Sequence, residues 1–413
     1  MTPGTRGMLG DWMHVTQDTT AAAFQRIVMA ATAPGFAPIT RRTMIGAACS
    51  VLAFSGVARA TETIKIGQMA PLTGPAAEAG LRQVNGAKQA AEAVNAAGGV
   101  LGRPIELFVE DDQSTNPGGV LAFSRLAGRG DLVGFLASQR STLLHAIAPD
   151  VQKVAKPTIM AGTDPMLTHL GYRWMFRVRP SDRYSARVIA DFGTTTLRKQ
   201  KWAIIHSTDA FGISAVRALA DALETLGAKP VLTQGYTNQQ PDFTPTVLAI
   251  KQSGADVICS YFTFENDLAL FARQLRQLGI GAAWIGSPTI TYTTTLKLAG
   301  NALHGTYGVT DFAADANPEA RSFADRFEQL YKEKPDVGAA WTYDGLLVLA
   351  SGINKAGSTD PEKIRSAVLA IQGFKGVEGE YRFDENGDGL HGYNVVRNEN
   401  GRIVFDRHIE FTD

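Results

Sequence analysis

Two adjacent carboxylates, Asp111 and Asp112, end the apolar run 104–110 and have the residue types of a general acid–base pair. Neighbours on a strand point to opposite faces, so capping or hinge hydrogen bonding is the expected role. Asp384-Glu-Asn-Gly-Asp-Gly389 opens like a calcium loop. Its twelfth position is Val395 where a bidentate Glu is required, so a tight hairpin turn is expected and no metal. The seven histidines (His14, His145, His169, His206, His304, His391 and His408) show no metal-ligand spacing. Cys259 sits in the apolar run 256–262 with no activating base nearby in sequence, which fits a small buried hydrophobe rather than a nucleophile. Neither a G-x-S-x-G elbow nor a phosphate-binding glycine motif occurs. The chemistry on offer is binding, with no enzyme activity and no cofactor expected.

Residues bind together only if elements bring them together. From Thr63 the chain alternates short β-rich runs with amphipathic helices. Strands are expected at 63–68, 104–110, 132–136 and 157–161, then at 201–206, 256–262 and 282–286. The first helix carries Leu81, Val84, Ala87, Ala91 and Val94 on one stripe and stops at Gly98-Gly99. Asn116-Pro117, Asn317-Pro318 and Asp360-Pro361 read as caps with proline in the first turn. Later helices carry Phe211, Val216, Leu219, Leu223 and Leu226, and Leu268, Phe271, Leu275 and Leu278. Strands each followed by a helix predict parallel sheets covered on both faces. Two such series, 63–180 and 201–310, give an α/β fold of two doubly wound, Rossmann-like lobes. A β/α barrel would not leave the late β-rich tail 380–411. In open parallel sheets, ligands bind beyond the carboxyl ends of the strands. The loops after Gln68, Leu136, Ala161, His206, Phe262 and Gly286 are therefore the ones to watch. A helix start after Leu136 offers free N–H groups and a dipole that favour an anion, and Arg140 adds a bidentate cation.

The chain has 413 residues, enough for two domains, and 45% apolar against 19% charged residues is ordinary globular composition. Forty basic and forty acidic residues with no long basic run give nothing to draw it to nucleic acid. Residues 1–60 read as an N-terminal extension and a twin-arginine-type signal. Arg41-Arg42 precedes a mildly apolar stretch ending in Ala58-Arg59-Ala60. Met29 is a plausible alternative start, and Cys49 stands too near Arg42 for a lipoprotein signal. Export to the periplasm is expected.

Ile64-Lys-Ile-Gly-Gln-Met-Ala-Pro-Leu-Thr-Gly74, Val94-Asn-Ala-Ala-Gly-Gly-Val-Leu-Gly-Arg103, Glu110-Asp-Asp-Gln113, Trp341-Thr-Tyr-Asp344 and Phe383-Asp-Glu-Asn-Gly-Asp388 occur in this order. The ordered set resembles the periplasmic branched-chain amino acid-type solute-binding proteins. The resemblance implies a type I periplasmic binding fold, the Venus-flytrap with three crossovers. Its expected lobes are 61–181 with 311–378, and 182–310 with 379–413. It also implies delivery of a small solute to the membrane permease of an ABC importer, by a protein expected to be monomeric.

The resemblance further suggests site residues. The loop Ala137-Ser138-Gln139-Arg140-Ser141-Thr142 resembles the family's carboxylate-binding loop, with Ser138 as hydroxyl donor. Arg140 either forks onto the carboxylate or faces solvent beside the cleft. Ala161-Gly162-Thr163 resembles the second carboxylate loop, with Thr163 as donor or as a helix cap. Phe211, Phe262 and Phe264 either wall the ligand or pack in the core. The loop of Pro288 carries no acid where the family's amino acid binders hold the ammonium group. The implied ligand is then an aromatic or aliphatic acid, a keto acid or an amide, unless Asp209, Glu265 or Asp267 replaces that acid and an amino acid binds. The alternative function is a periplasmic sensor presenting the same solute to a membrane kinase or chemoreceptor.

Overall fold

A computed structural model of the protein describes residues 62–412. The export segment expected over 1–60, Cys49 included, lies outside the described residues. The first series runs β1 (Ile64–Ala70), α1 (Ala77–Ala96), β2 (Ile105–Asp111), α2 (Asn116–Gly128), β3 (Gly134–Leu136), α3 (Ser141–Val154), β4 (Thr158–Met160) and β5 (Met175–Arg177). Its strands form a parallel sheet ordered β2-β1-β3-β4-β5, with Ile66 beside Leu107 on one side and Gly134 on the other. The second series begins with α4 (Asp182–Asp191), β6 (Trp202–Ser207), α5 (Ala210–Thr225), β7 (Pro230–Tyr236) and α6 (Thr244–Ser253). It continues through β8 (Val257–Tyr261), α7 (Glu265–Gln277), β9 (Ala283–Gly286), α8 (Thr293–Ala299) and β10 (Tyr307–Thr310). The chain then returns as α9 (Pro318–Tyr331), α10 (Val337–Ala356) and α11 (Pro361–Leu369), followed by the hairpin β11 (Gln372–Lys375) and β12 (Glu380–Arg382). Finally β13 (Gly392–Glu399) and β14 (Arg402–Glu410) add antiparallel strands to a sheet ordered β14-β13-β10-β9-β8-β6-β7.

The central strands of the two large sheets are buried on both faces, which is why they read as apolar runs. The chain passes between the sheets after β5, after β10 and before β13, giving two doubly wound lobes joined by three crossovers. The third passage corrects the boundary expected at 378–379. Tyr381, Phe383 and Leu390 pack in the first core and Tyr393 in the second, so the crossing falls after Leu390. The Tyr381 hydroxyl lies within hydrogen-bond distance of both Asp344 Oδ2 (2.9 Å) and the carbonyl of Val178 (3.0 Å), which ties this segment to the first lobe.

Several local expectations shift for physical reasons. Leu81 is 54% exposed and Arg82 is buried in its place. The stripe of Val84, Ala87 and Ala91 runs back through Gly80, whose Cα lies against the carbonyl of Pro71. Leu226 is 40% exposed, because α5 ends at Thr225. Thr115, not Asn116, caps α2, its hydroxyl accepting the Gly118 N–H at 3.0 Å. Asn317 and Asp360 cap α9 and α11. The 384–389 segment is a tight turn, but it does not join paired strands. Asp384 accepts the N–H groups of Asn386 and Asp388, and Asp388 accepts from buried Arg177 at 2.7 Å. Cys259 is fully buried, and burial pushes its thiol up, away from nucleophilic use.

Helices α1 and α10 meet at Gly86. A Cβ there would lie 2.1 Å from the Ala339 carbonyl oxygen and 2.6 Å from Thr342 Oγ1. Gly86→Ala is therefore expected to cost about 3 kcal/mol, the upper end for overpacking, because the clashing atom is backbone and cannot rotate away. The urea midpoint measures it; a loss under about 0.5 kcal/mol would mean the helices separate freely.

Candidate functional site

The loops at the carboxyl ends of both sheets enclose a cavity of about 260 Å³. One wall includes Gln139, Arg140, Ser141, Thr142, Thr163 and Arg179 of the first lobe, and the other includes Asp209, Phe211, Asn238, Phe262, Thr263, Phe264, Pro288, Thr289 and Tyr292 of the second. Of the residues singled out from sequence, Arg140, Ser141, Thr142, Thr163, Phe211, Phe262, Phe264 and Pro288 line the space. Ser138, Ala161 and Gly162 do not. The buried Ser138 hydroxyl accepts the Arg140 N–H at 3.1 Å and shapes the loop from beneath. The Ala161 carbonyl receives Arg179 and the Gly162 carbonyl receives Arg177. These are supports for the wall rather than its surface. Phe262 is both wall and core, stacked on Tyr236 at 4.4 Å between ring centroids.

The two acids at the end of β2 divide as their opposite faces require. Asp111 accepts from Leu72 and Thr73 and pins the loop after β1. Asp112 is buried and accepts Arg140 Nη2 at 2.9 Å. Burial pushes the Asp112 carboxyl up, and Arg140 opposes that shift. Arg140 is thus held at the start of α3 with its Nε buried and without a partner. The Thr163 hydroxyl donates to buried Asp182 at 2.7 Å, and burial raises that carboxyl to about 6. The Thr142 hydroxyl accepts the Ala210 N–H at 3.1 Å, a hydrogen bond from the first turn of α5 across to the first lobe.

Asp209 caps α5 and is saturated by the protein's own donors. Its oxygens accept from Ser207 Oγ (2.8 Å), Gly212 N (3.0 Å), Thr263 Oγ1 (2.6 Å) and Asn238 Nδ2 (2.8 Å). Among the described residues, no three His, Cys, Asp or Glu side chains gather where a metal would be held.

Gln139, Arg179, Asn238, Thr289 and Tyr292 were not anticipated. Arg179 follows β5, where buried Arg177 interrupts the apolar run. Asn238 follows β7, whose half-exposed alternation marks an edge strand. Reading Leu232, Gln234 and Tyr236 as one face would have placed the next loop at the cleft.

A second contact closes the flank of the cleft. Buried Arg82 of α1 donates to Asp336 at 2.8 Å within its lobe and to Thr294 Oγ1 of α8 at 2.6 Å across it. Glu265, the buried first residue of α7, faces this group and is pushed up to about 7, first by burial, with Asp336 and Glu78 adding to it and Arg82 opposing. The folded carboxyl keeps its proton to higher pH than the unfolded one. Its stabilisation is full below the unfolded value near 4.5 and is lost as pH rises through about 7. Glu265→Gln is therefore expected to flatten the fall in stability between pH 5 and 8 by a few kcal/mol, read from urea midpoints at the two values. An unchanged slope would mean that Glu265 ionises freely.

Residues 63–402 match the family model described as periplasmic binding protein. The leucine-, isoleucine-, valine-, threonine- and alanine-binding protein of Pseudomonas aeruginosa is 28% identical over 351 residues, covering 84% of this chain and 93% of its own. Leu/Ile/Val-binding protein homolog 3 of Brucella melitensis is 30% identical over 354 residues, covering 83% and 93%. A crystal structure of a leucine-binding protein from Thermotoga maritima shares the fold with a TM-score of 0.79 at 24% identity, over 84% of this chain and 99% of that one. Two parallel-sheet lobes, three crossovers and a family match across nearly all of the described chain lead to one conclusion: this chain belongs to the periplasmic binding protein family, as a branched-chain amino acid-type member with the type I fold.

Proposed function

We propose that the protein is the exported receptor of an ABC importer, closing its lobes on a small carboxylate-bearing solute and presenting the closed form to a membrane permease. The observation that supports this most is the Arg140 Nε, buried and unpartnered at the cavity wall beside the start of α3. A carboxylate supplies the missing acceptor and gains from the helix dipole. The three passages between lobes serve as the hinge, and ligand contacts with both walls shift the population to the closed form. The relatives named for leucine, isoleucine and valine support a solute of amino acid size. The saturated Asp209 favours an acid or amide over a free α-ammonium group.

A thermal-shift screen of the purified protein against amino acids, aromatic acids, aliphatic acids and amides tests this. A ligand at ~100 times its dissociation constant stabilises the folded state by about 2.7 kcal/mol. Carboxylates are expected to raise the melting temperature and their neutral isosteres are not. A panel in which no carboxylate shifts it would refute the reading.

A further inference from the structure

We infer that the cavity takes a carboxylate that also carries a neutral hydrogen-bond donor, a hydroxyl or an amide N–H, and that Asn238 and Gln139 read that donor. The inference rests on the carboxylate reading above and concerns the other end of the same ligand.

The orientation of Asn238 is fixed by its neighbour. A carboxylate only accepts, so the amide nitrogen of Asn238 must face Asp209 Oδ2, at 2.8 Å. The amide oxygen then points away from Asp209, and it is buried without a partner. Gln139 Oε1 across the cavity is buried and unpartnered as well. Such acceptors are costly to bury unsatisfied, and they line the same space as the unpartnered Nε of Arg140. The residues of the walls therefore hold one cationic donor, Arg140 Nε, and one neutral acceptor of fixed orientation, Asn238 Oδ1, with the unpartnered amide of Gln139 facing the same space.

Neutral acceptors discriminate. A hydroxyl or amide N–H satisfies them at no charge cost, whereas an ammonium entering a closed cleft needs a counter-charge. Asp209 does not supply a free one. Its two oxygens already receive four donors, and the positive end of α5 beneath it offsets its charge. Asp209 acts as the clamp that orients Asn238, and Asn238 meets the ligand.

Two matched sets of probes test this by calorimetry on the whole chain. The aliphatic set is 4-methylpentanoate, 2-hydroxy-4-methylpentanoate and leucine; the aromatic set is benzoate and 4-hydroxybenzoate. All five carry the carboxylate. In a set that binds, the hydroxyl member is expected to bind about tenfold to a hundredfold more tightly than the member without it. Asn238→Leu is expected to erase that difference. Equal affinity for hydroxyl and deoxy members in every set overturns the inference and leaves the carboxylate reading standing. Leucine binding most tightly does the same, since it shows a site for ammonium. Failure of all five at millimolar concentration sinks both readings. The ligand comparison needs no variant, so it decides the matter even where Asn238→Leu does not fold.

Discussion

Arg179→Met is expected to lower the unfolding free energy by about 3–5 kcal/mol, the range for stranding a buried charge. Arg179 lies on the first passage between lobes and forks onto both carboxylate oxygens of Asp311, which opens the second. Its Nη1 also holds the Ala161 carbonyl under the ligand loop. The surroundings are acidic. Burial, then Asp311 and Asp344, push Glu378 well above the usual carboxylate range, and burial raises Asp344 to about 6. Without the guanidinium, Asp311 faces these groups in a space closed to water. Arg179→Met combined with Asp311→Asn should recover much of the loss, and Arg179→Lys should fall between, keeping a charge but losing the fork. Urea midpoints measure all of these. A loss below about 1 kcal/mol in the single variant would show that water or another cation reaches Asp311.

The second large effect is on binding. Arg140→Ala should weaken a carboxylate ligand by about 2–5 kcal/mol, roughly thirtyfold to several-thousandfold. The substitution removes the guanidinium whose Nε is buried and unpartnered at the cavity wall and leaves Asp112 buried without its cation. These two consequences separate experimentally. Asp112→Asn keeps the guanidinium and should hold ligand affinity within about tenfold while changing stability. Calorimetric titration with a carboxylate found in the thermal-shift screen distinguishes the arms. If Arg140→Ala binds as well as the parent, Arg140 serves only as the partner of Asp112, and the carboxylate sits elsewhere.

The loops that meet at the cavity were legible because one rule placed them: in an open parallel sheet every strand delivers its following loop to the same edge. That rule found the loops of Arg140, Thr163, Phe211, Phe264 and Pro288. It missed the loops of Arg179 and Asn238 because buried Arg177 breaks the apolar run of β5 and β7 is too exposed to read as a strand. Ser138 was expected to donate its hydroxyl to the ligand, and in the fold that hydroxyl accepts the Arg140 N–H while the residue stays off the cavity wall. Residue type showed that a hydroxyl was present in the loop; only packing decided whether it faced the cavity or the turn beneath.

What the sequence determined by itself was the pattern of burial. Apolar runs of strand length alternating with helical stripes admit little besides two doubly wound lobes, since each apolar face must be covered. The late β-rich tail fits as antiparallel edge strands of the second sheet. What only the tertiary structure decided was pairing between residues far apart in the chain: Arg140 with Asp112, Arg179 with Asp311, Arg82 with Thr294, Asn238 with Asp209. The reason is physical. Burial is set by local periodicity and is written along the chain. A hydrogen bond depends on ångström distances and on direction between groups that sequence spacing does not fix. The specificity of this cavity is made of such bonds, so it became visible only once the lobes had brought their loops together.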